Sequence, residues 1–508
     1  MIFVALPVFG QTSAEERAKN FLDAGNYRRA LIEYRKAYAK DTNSLSVLRG
    51  IITSIVNDEN PREAAIPYCE RYVKLCPDDA SVYYDYAVAC FHGNKFVEAR
   101  RYLNEYISLV RSDKEMKKAD KLQRNIDNAQ RLMKSPLAAT FVNMGPMINT
   151  EYCEINPYIT DDDKTVIFSS DDKYNSVEQI NYFNIKYSEH DGLQWQKSKA
   201  VGGLVNTLYD EYISGLSHDK TMFFCHNRSV LFQLASARYM GRGRFSDGED
   251  LGVPIDQKGD EVAACLTQSG DTMIFSGTST GGYLDLYYSI RLQNGKWGEP
   301  RPLPGKVNEA DADQSYPMLD LGGRRLYFAS NGSTSMGGYD LYYSELDMTS
   351  DEWSWGEPVQ LPYPINDAYD NMTISFSSNH RYGYMSCVRP DGFGGRDIYQ
   401  LVSENVASTM AIFRYEILIR SRPKITKPAT VPLVQIYNAD GVLQDPVTVR
   451  MPSATFIVAL APGTYTMTID SDGTRQYKEK IVIDEIVHLA EPVERKAVLI
   501  PLEPQPAK

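Results

Sequence analysis

The sequence predicts a multidomain α + β chain in which an N-terminal helical solenoid, a five-bladed β-propeller and a C-terminal β-sandwich follow one another. Three observations predict it. A helical repeat with a period of about 34 residues occupies the first quarter. A strand-rich repeat with a period of about 50 to 57 residues then recurs five times between Asn149 and Leu401. From about Met410 short alternating strands separated by turn residues take over.

The helical repeat is read from three matching segments, Gly25-Asn-Tyr27-Arg-Arg-Ala30, Asn60-Pro-Arg62-Glu-Ala-Ala65 and Gly93-Asn-Lys-Phe96-Val-Glu-Ala99. Ala30, Ala65 and Ala99 are the small residues that let paired antiparallel helices approach closely, and Asp41 and Pro77 sit where the second helix of a pair should end. A polar helix from about Met116 to Lys134 caps the array, which is expected over residues 12–135. Three repeats offer a small concave groove for a peptide or partner protein, or else a rigid strut against the next domain. The charge run Lys114, Lys117, Lys118, Lys121 and Arg124 reads as a solvated helix face.

The propeller repeat aligns on Glu154, Glu211, Glu261, Gln314 and Asn371. Each copy has an Asn or Asp, this acidic or amide position, a strand ending near a Ser, a turn and an aromatic strand. In the last three copies the turn carries a Gly pair followed by Asp: Gly281, Gly282 and Asp285; Gly337, Gly338 and Asp340; Gly394, Gly395 and Asp397. The glycines are expected to supply positive φ in a hairpin, and the aromatics to pack on a pleated sheet. A feature repeated in every blade is expected to be scaffold, with Glu154, Glu211 and Glu261 bonding between blades. The fifth copy lacks an outer strand, and the segment near 140–148 is expected to supply it, closing a ring over residues 138–403. The C-terminal module, residues 409–502, should form about seven strands, among them Ala411–Ile419, Val447–Arg450 and Phe456–Leu460, followed by a tail at 503–508.

Charge and cysteine usage bound the function. The net charge of −12 is concentrated in the propeller segment, where acidic side chains outnumber basic ones, and this excludes nucleic acid as the main ligand. Seven scattered cysteines, an odd number without paired metal spacing, read as buried thiols. Residues 1–11 are apolar and resemble the end of a secretory signal whose first residues are missing, with no Cys after the cleavage zone for a lipid anchor. No stretch of about 20 apolar residues is present for a membrane span.

Chemical motifs are weak. Gly277-Thr-Ser279-Thr-Gly281 fits a nucleophile elbow but lies in a strand hairpin instead of a strand-to-helix turn. The six histidines, His92 and His218 among them, stand apart with no zinc spacing, and Asp311-Ala-Asp313 lacks the Gly and distal Glu of a calcium loop. No catalytic residue, cofactor or metal is therefore nominated. The second copy alone replaces the Gly pair with Ala237-Arg-Tyr-Met-Gly-Arg-Gly-Arg-Phe245, so Arg238, Arg242 and Arg244 are the candidate partner-binding residues, suited to an anionic group or peptide.

These segments carry family resemblances. The helical segments resemble the tetratricopeptide repeat. The five copies resemble the WD40-like PD40 propellers related to the TolB propeller. Phe456 through Tyr465, with Leu-Ala-Pro-Gly-Thr-Tyr before a strand, resembles the carboxypeptidase regulatory-like (transthyretin-like) module. The order of the three is similar to that of PorE-like envelope proteins of the Bacteroidetes type, associated with type IX secretion. Those continue into an OmpA-like peptidoglycan-binding domain, which is absent from this sequence, so cell-wall binding is not carried over. The resemblance implies a non-enzymatic periplasmic scaffold, associated with the outer membrane and binding envelope proteins through the helical groove and the propeller face. The alternative is a glycan- or peptide-binding receptor module, and after it a propeller hydrolase.

Overall fold

The computed structural model describes residues 13–502, leaving aside 138, 162, 192–193, 203, 229–230, 257–258, 321, 348–352, 378–381, 404–410, 421–423, 445–446, 448, 450, 452, 461 and 484–492. The signal-like segment 1–11 and the tail 503–508 lie outside the described residues. Seven α-helices come first: α1 (Ala14–Asp23), α2 (Tyr27–Tyr38), α3 (Leu45–Asn57), α4 (Ile66–Leu75), α5 (Ala80–His92), α6 (Phe96–Leu109) and α7 (Asp113–Leu132). Their starts are specified locally. Ser13, Asn26, Ser44, Asp79 and Ser112 each accept a backbone N–H of the first turn, and Ser112 does so from Glu115 at 3.2 Å. Ala30, Ala65 and Ala99 are fully buried at the contacts between helices.

A sheet-rich region follows, built as a β-propeller of five antiparallel sheets. The inner strands Glu154–Ile159, Glu211–Leu216, Glu261–Leu266, Gln314–Leu319 and Ser375–Phe376 each begin one sheet. Five apolar clusters sit between consecutive blades. Met222 and Phe224 pack on Ile167 and Ile185; Phe275 packs on Phe223; Phe328 on Ile274; Met385 on Tyr327; and Val166 and Phe168 on Ile398. The last of these joins blade five to blade one and closes the ring. The closing outer strand is Ala139–Asn143, paired antiparallel with Asp397–Ser403 in the register Phe141 to Leu401, and it forms the outer edge of blade five.

The seams between blades are held by a side chain ahead of each inner strand that clamps the third strand of the blade before. Asn206 accepts Ile185 N–H at 2.8 Å and donates to Ile185 O at 2.8 Å; Asn308 does the same to Leu286, Asn366 to Leu341 and Asn149 to Ile398. Asp256 takes this place between blades two and three, accepting Leu234 N–H at 3.0 Å. This corrects the inter-blade role expected of the glutamate carboxylates. Glu154 accepts Thr150 N–H at 3.0 Å, Thr150 O–H at 2.6 Å and Ser170 O–H at 2.9 Å, all within its own blade. Glu211 likewise holds Thr207.

The Gly pairs are also corrected. Gly282 has φ +83°, as expected, but the pairs of blades four and five are required for space. A Cβ on Gly338 would lie 1.7 Å from Asp370 Oδ1, and one on Gly394 would lie 2.4 Å from Tyr152 O. The next blade's entering segment passes too close for any side chain. The Asp that follows each pair folds the hairpin onto itself: Asp340 accepts Met336 N–H at 3.0 Å and Gln360 N–H at 2.7 Å, and Asp397 accepts Phe393 N–H at 2.6 Å. Burial raises the carboxyl of Asp340 to about 7.

The C-terminal region is two sheets around a shared core of Phe413, Tyr415, Ile436, Phe456 and Met467. Its central strand Ala411–Arg420 pairs antiparallel with Thr455–Leu460 and parallel with Val493–Leu499, and the latter strand was not anticipated. Of the expected strand Val447–Arg450, Val447 bridges to Val434, and positions 448 and 450 lie outside the described residues.

Candidate functional site

The helices dock on the propeller face that carries the blade hairpins, along an arc over blades one, five and four. Asn26 of α2 donates to Gln179 O at 2.9 Å, Arg28 lies 3.4 Å from Asp171, and the Arg29 guanidinium sits 3.6 Å from the centre of the Tyr174 ring. After α3, Glu59 pairs at 2.6 Å with Arg396, a side chain only 3% exposed. Burial works against the ionised form of Glu59, but Arg396 and Arg62 hold its carboxyl below the usual range. On α7, Asn125 donates to Gly337 O at 2.6 Å and Asn128 to Ser333 O and Ser335 O at 3.0 Å.

This arrangement corrects the expectation of an open helical groove. Met336 at the blade-four hairpin and Ala368 ahead of blade five are buried in the same apolar cluster as the helices. The hairpin of blade four meets α7 through Asn125 and Asn128, and its Met336 packs into the helical core. A cleft of about 450 Å³ is left between them. Its floor is Val56, Val88 and Leu122; its walls are Arg62, Tyr84, His92, Lys118, Lys121 and Asn125 on the helical side and Gly337, Gly338 and Asp370 on the propeller side. The Lys118 ammonium lies 3.7 Å from the centre of the Tyr84 ring. Burial, then the nearby charges of Arg62 and Arg396, hold His92 well below the usual imidazole range, so it is neutral.

A second, smaller cavity of about 60 Å³ lies at the other mouth of the ring, where the inner strands of all five blades end. There His218 Nδ1 lies 2.9 Å from Asp161, and Asp320 accepts the N–H groups of Arg324 and Arg325 at 2.9 and 3.1 Å. Burial raises the Asp320 carboxyl. Among the described residues no group of three or more His, Cys, Asp or Glu is placed to hold a metal ion, and no helix is long and apolar enough to cross a membrane.

The sequence-derived candidates fall elsewhere. Arg238, Arg242 and Arg244 are exposed on a two-stranded extension of blade two, with Arg242 in its turn at φ 54° and Tyr239 and Phe245 paired beneath. None of the three lines the cleft. Of the cleft residues, Lys118 and Lys121 are read from the sequence as a solvated helix face and His92 as an isolated histidine, and Arg62 is given no functional role. One signal for them was available: Lys118, Lys121, Leu122 and Asn125 recur at helical spacing on one face of α7.

No family model and no curated protein matches the chain. Among solved structures it is similar to TolB from Acinetobacter baumannii (15% identity, TM-score 0.31, covering 51% of this chain and 56% of that one). It is also similar to a thermostable family-43 glycoside hydrolase (14% identity, TM-score 0.33, covering 60% and 97%). A third is the catalytic domain of the Coprinopsis cinerea GH62 alpha-L-arabinofuranosidase (12% identity, TM-score 0.34, covering 53% and 99%). Most of these neighbours are carbohydrate-active enzymes, which stands against the expectation of a non-enzymatic scaffold serving type IX secretion. At these identities the likeness concerns fold, and the function is argued from the geometry of the chain itself.

Proposed function

We propose that the chain is a ligand-binding receptor module that takes a peptide, in preference to a glycan, in the cleft between the helices and blades four and five. The observation that carries this reading is the cleft itself, a concave site at the seam of two units with an apolar floor and an amide and cationic rim. Val56, Val88 and Leu122 suit an aliphatic side chain, and Asn57 and Asn125 suit a peptide backbone. A sugar ring needs an aromatic face to stack on. Here the Tyr84 face is covered by Lys118, and Phe91 is 2% exposed.

In the same reading the helices are tetratricopeptide-like repeats, the C-terminal sheets a carboxypeptidase regulatory-like sandwich, and the compartment the periplasm, which the signal-like character of Met1–Gly10 supports. Calorimetric titration of the full chain against a peptide library and a panel of oligosaccharides tests it. Peptide binding that is lost on Val88→Arg, which fills the floor, is the expected result. Oligosaccharide binding that survives that substitution overturns it, as does sugar turnover lost on Asp320→Asn, which would move function to the opposite mouth.

A further inference from the structure

Arg62, at the start of the turn that leads into α4, reaches across to the end of α5, where its Nη1 lies 3.0 Å from His92 Nε2. A guanidinium is always protonated and only donates. His92 Nε2 must therefore accept, and with the ring neutral its one proton is on Nδ1. That Nδ1–H is buried, on a residue 9% exposed, and meets no acceptor among the described residues. Arg62 Nε–H is a second buried donor on the cleft wall without an acceptor among them. Buried polar groups are nearly always matched, and leaving one unmatched costs about 1–3 kcal/mol.

The carboxylates of the cleft do not supply the missing acceptors. Asp85 is held by Arg49 at 2.7 Å, and Asp370 accepts Tyr339 N–H at 2.8 Å with Arg396 4.0 Å away. Lys118 and Lys121 stand exposed at the rim; Lys118 is near enough to Asp85 to favour its ionised form, and neither lysine is in a salt bridge among the described residues. Unmatched donors and cations thus share one wall of a cavity, in a chain whose net charge is −12.

We infer that the cleft recognises an acidic peptide, whose side-chain carboxylates accept from Arg62 Nε–H and from His92 Nδ1–H while Lys118 and Lys121 attract it at the rim. The inference rests on the reading that the cleft is the ligand site and adds the ligand's charge. A carboxylate only accepts, which is what each of these donors lacks, and a hydrogen bond to an ionised acceptor is about twice as strong as a neutral one. The apolar floor beside these donors fits a peptide that alternates acidic and aliphatic residues.

Titration of the full chain with a Glu-Leu repeat peptide, its Gln-Leu counterpart and an oligogalacturonate decides the matter. The expected result is at least about tenfold tighter binding of the Glu-Leu peptide than of the Gln-Leu peptide, weakening as salt rises. A loss of at least about tenfold is expected in the exposed double variant Lys118→Glu, Lys121→Glu, whose folding is checked by its melting curve. Equal affinity for the two peptides overturns the acidic preference and leaves the cleft standing as a peptide site. Binding of the oligogalacturonate alone overturns the choice of peptide. Absence of binding by all three overturns both this inference and the reading beneath it.

Discussion

Two seams hold this molecule together, and they are built on different terms. Between blades, an Asn or Asp ahead of each inner strand meets the backbone of the preceding blade five times, the four Asn by accepting and donating and Asp256 by accepting, with every clamp bond near 2.7–3.0 Å. Between the helices and the propeller nothing repeats: two ion pairs, a few amide-to-carbonyl bonds and an inserted Met336 make the contact, and a cleft with unmatched donors is left beside them. The difference teaches where to look for function in a repeat protein. The clamp copied five times is itself satisfied in every copy, because a defect in it would be present in every blade. A seam made once is where polar groups are left for something else.

The sharpest way to break the comparison is to remove one clamp. Asn366 is fully buried and bonds Leu341 N–H, Leu341 O and Leu361 O at 2.7, 2.9 and 2.8 Å. Asn366→Ala strands Leu341 N–H and Leu361 O, while Leu341 O keeps Leu361 N–H at 2.9 Å, and is expected to cost about 3 kcal/mol, read as a lower urea midpoint with unchanged slope. Asn366→Asp keeps the acceptor for Leu341 N–H but turns a buried carboxylate oxygen on Leu341 O and Leu361 O, so it is expected to cost at least as much at neutral pH and less than Asn366→Ala in acid, where the protonated carboxyl donates. Equal losses for the two substitutions at both pH values would show that the clamp acts through shape alone.

How much of this was legible in the sequence follows the same division. The five copies could be aligned residue by residue, so the ring of sheets and the place of its outer strand were readable. The reasons for particular residues were less so: Gly338 and Gly394 look like turn glycines, and only the backbone passing beside them shows that they are there for clearance. Val493–Leu499 escaped notice because Glu494, Arg495 and Lys496 interrupt its alternation, and its partner strand lies some 80 positions away. The cleft was illegible. Glu59 and Arg396 are 337 residues apart, and Arg62 and His92 carry no pattern that marks them until the chain folds.

A smaller effect separates the seams by pH. The carboxyl of Asp340 is raised to about 7 by burial in the blade-four hairpin, whereas an unfolded Asp titrates near 3.9. Between those values the native state binds the extra proton, so stability is greatest below about pH 4 and declines as pH rises toward 7. Asp340→Asn should flatten that decline by on the order of 2 kcal/mol between pH 5 and pH 8, measured as the difference between the two proteins' denaturation free energies. A wild-type slope that the substitution leaves unchanged would place the proton uptake on other buried carboxylates such as Glu154 and Glu211, which burial also raises.

The smallest expected effect belongs to the seam made once. Arg396→Gln removes the partner of Glu59, but Glu59 is 37% exposed and water takes over part of the lost interaction. The cost is therefore about 1–2 kcal/mol, not the larger penalty of a fully buried pair. Because the contact is local, it should appear as faster amide exchange between α3 and α4 with little change in the global midpoint. If Arg396→Gln instead lowered the midpoint as far as Asn366→Ala, the helices would be integral to the ring's stability, and the contrast between the two seams would fail.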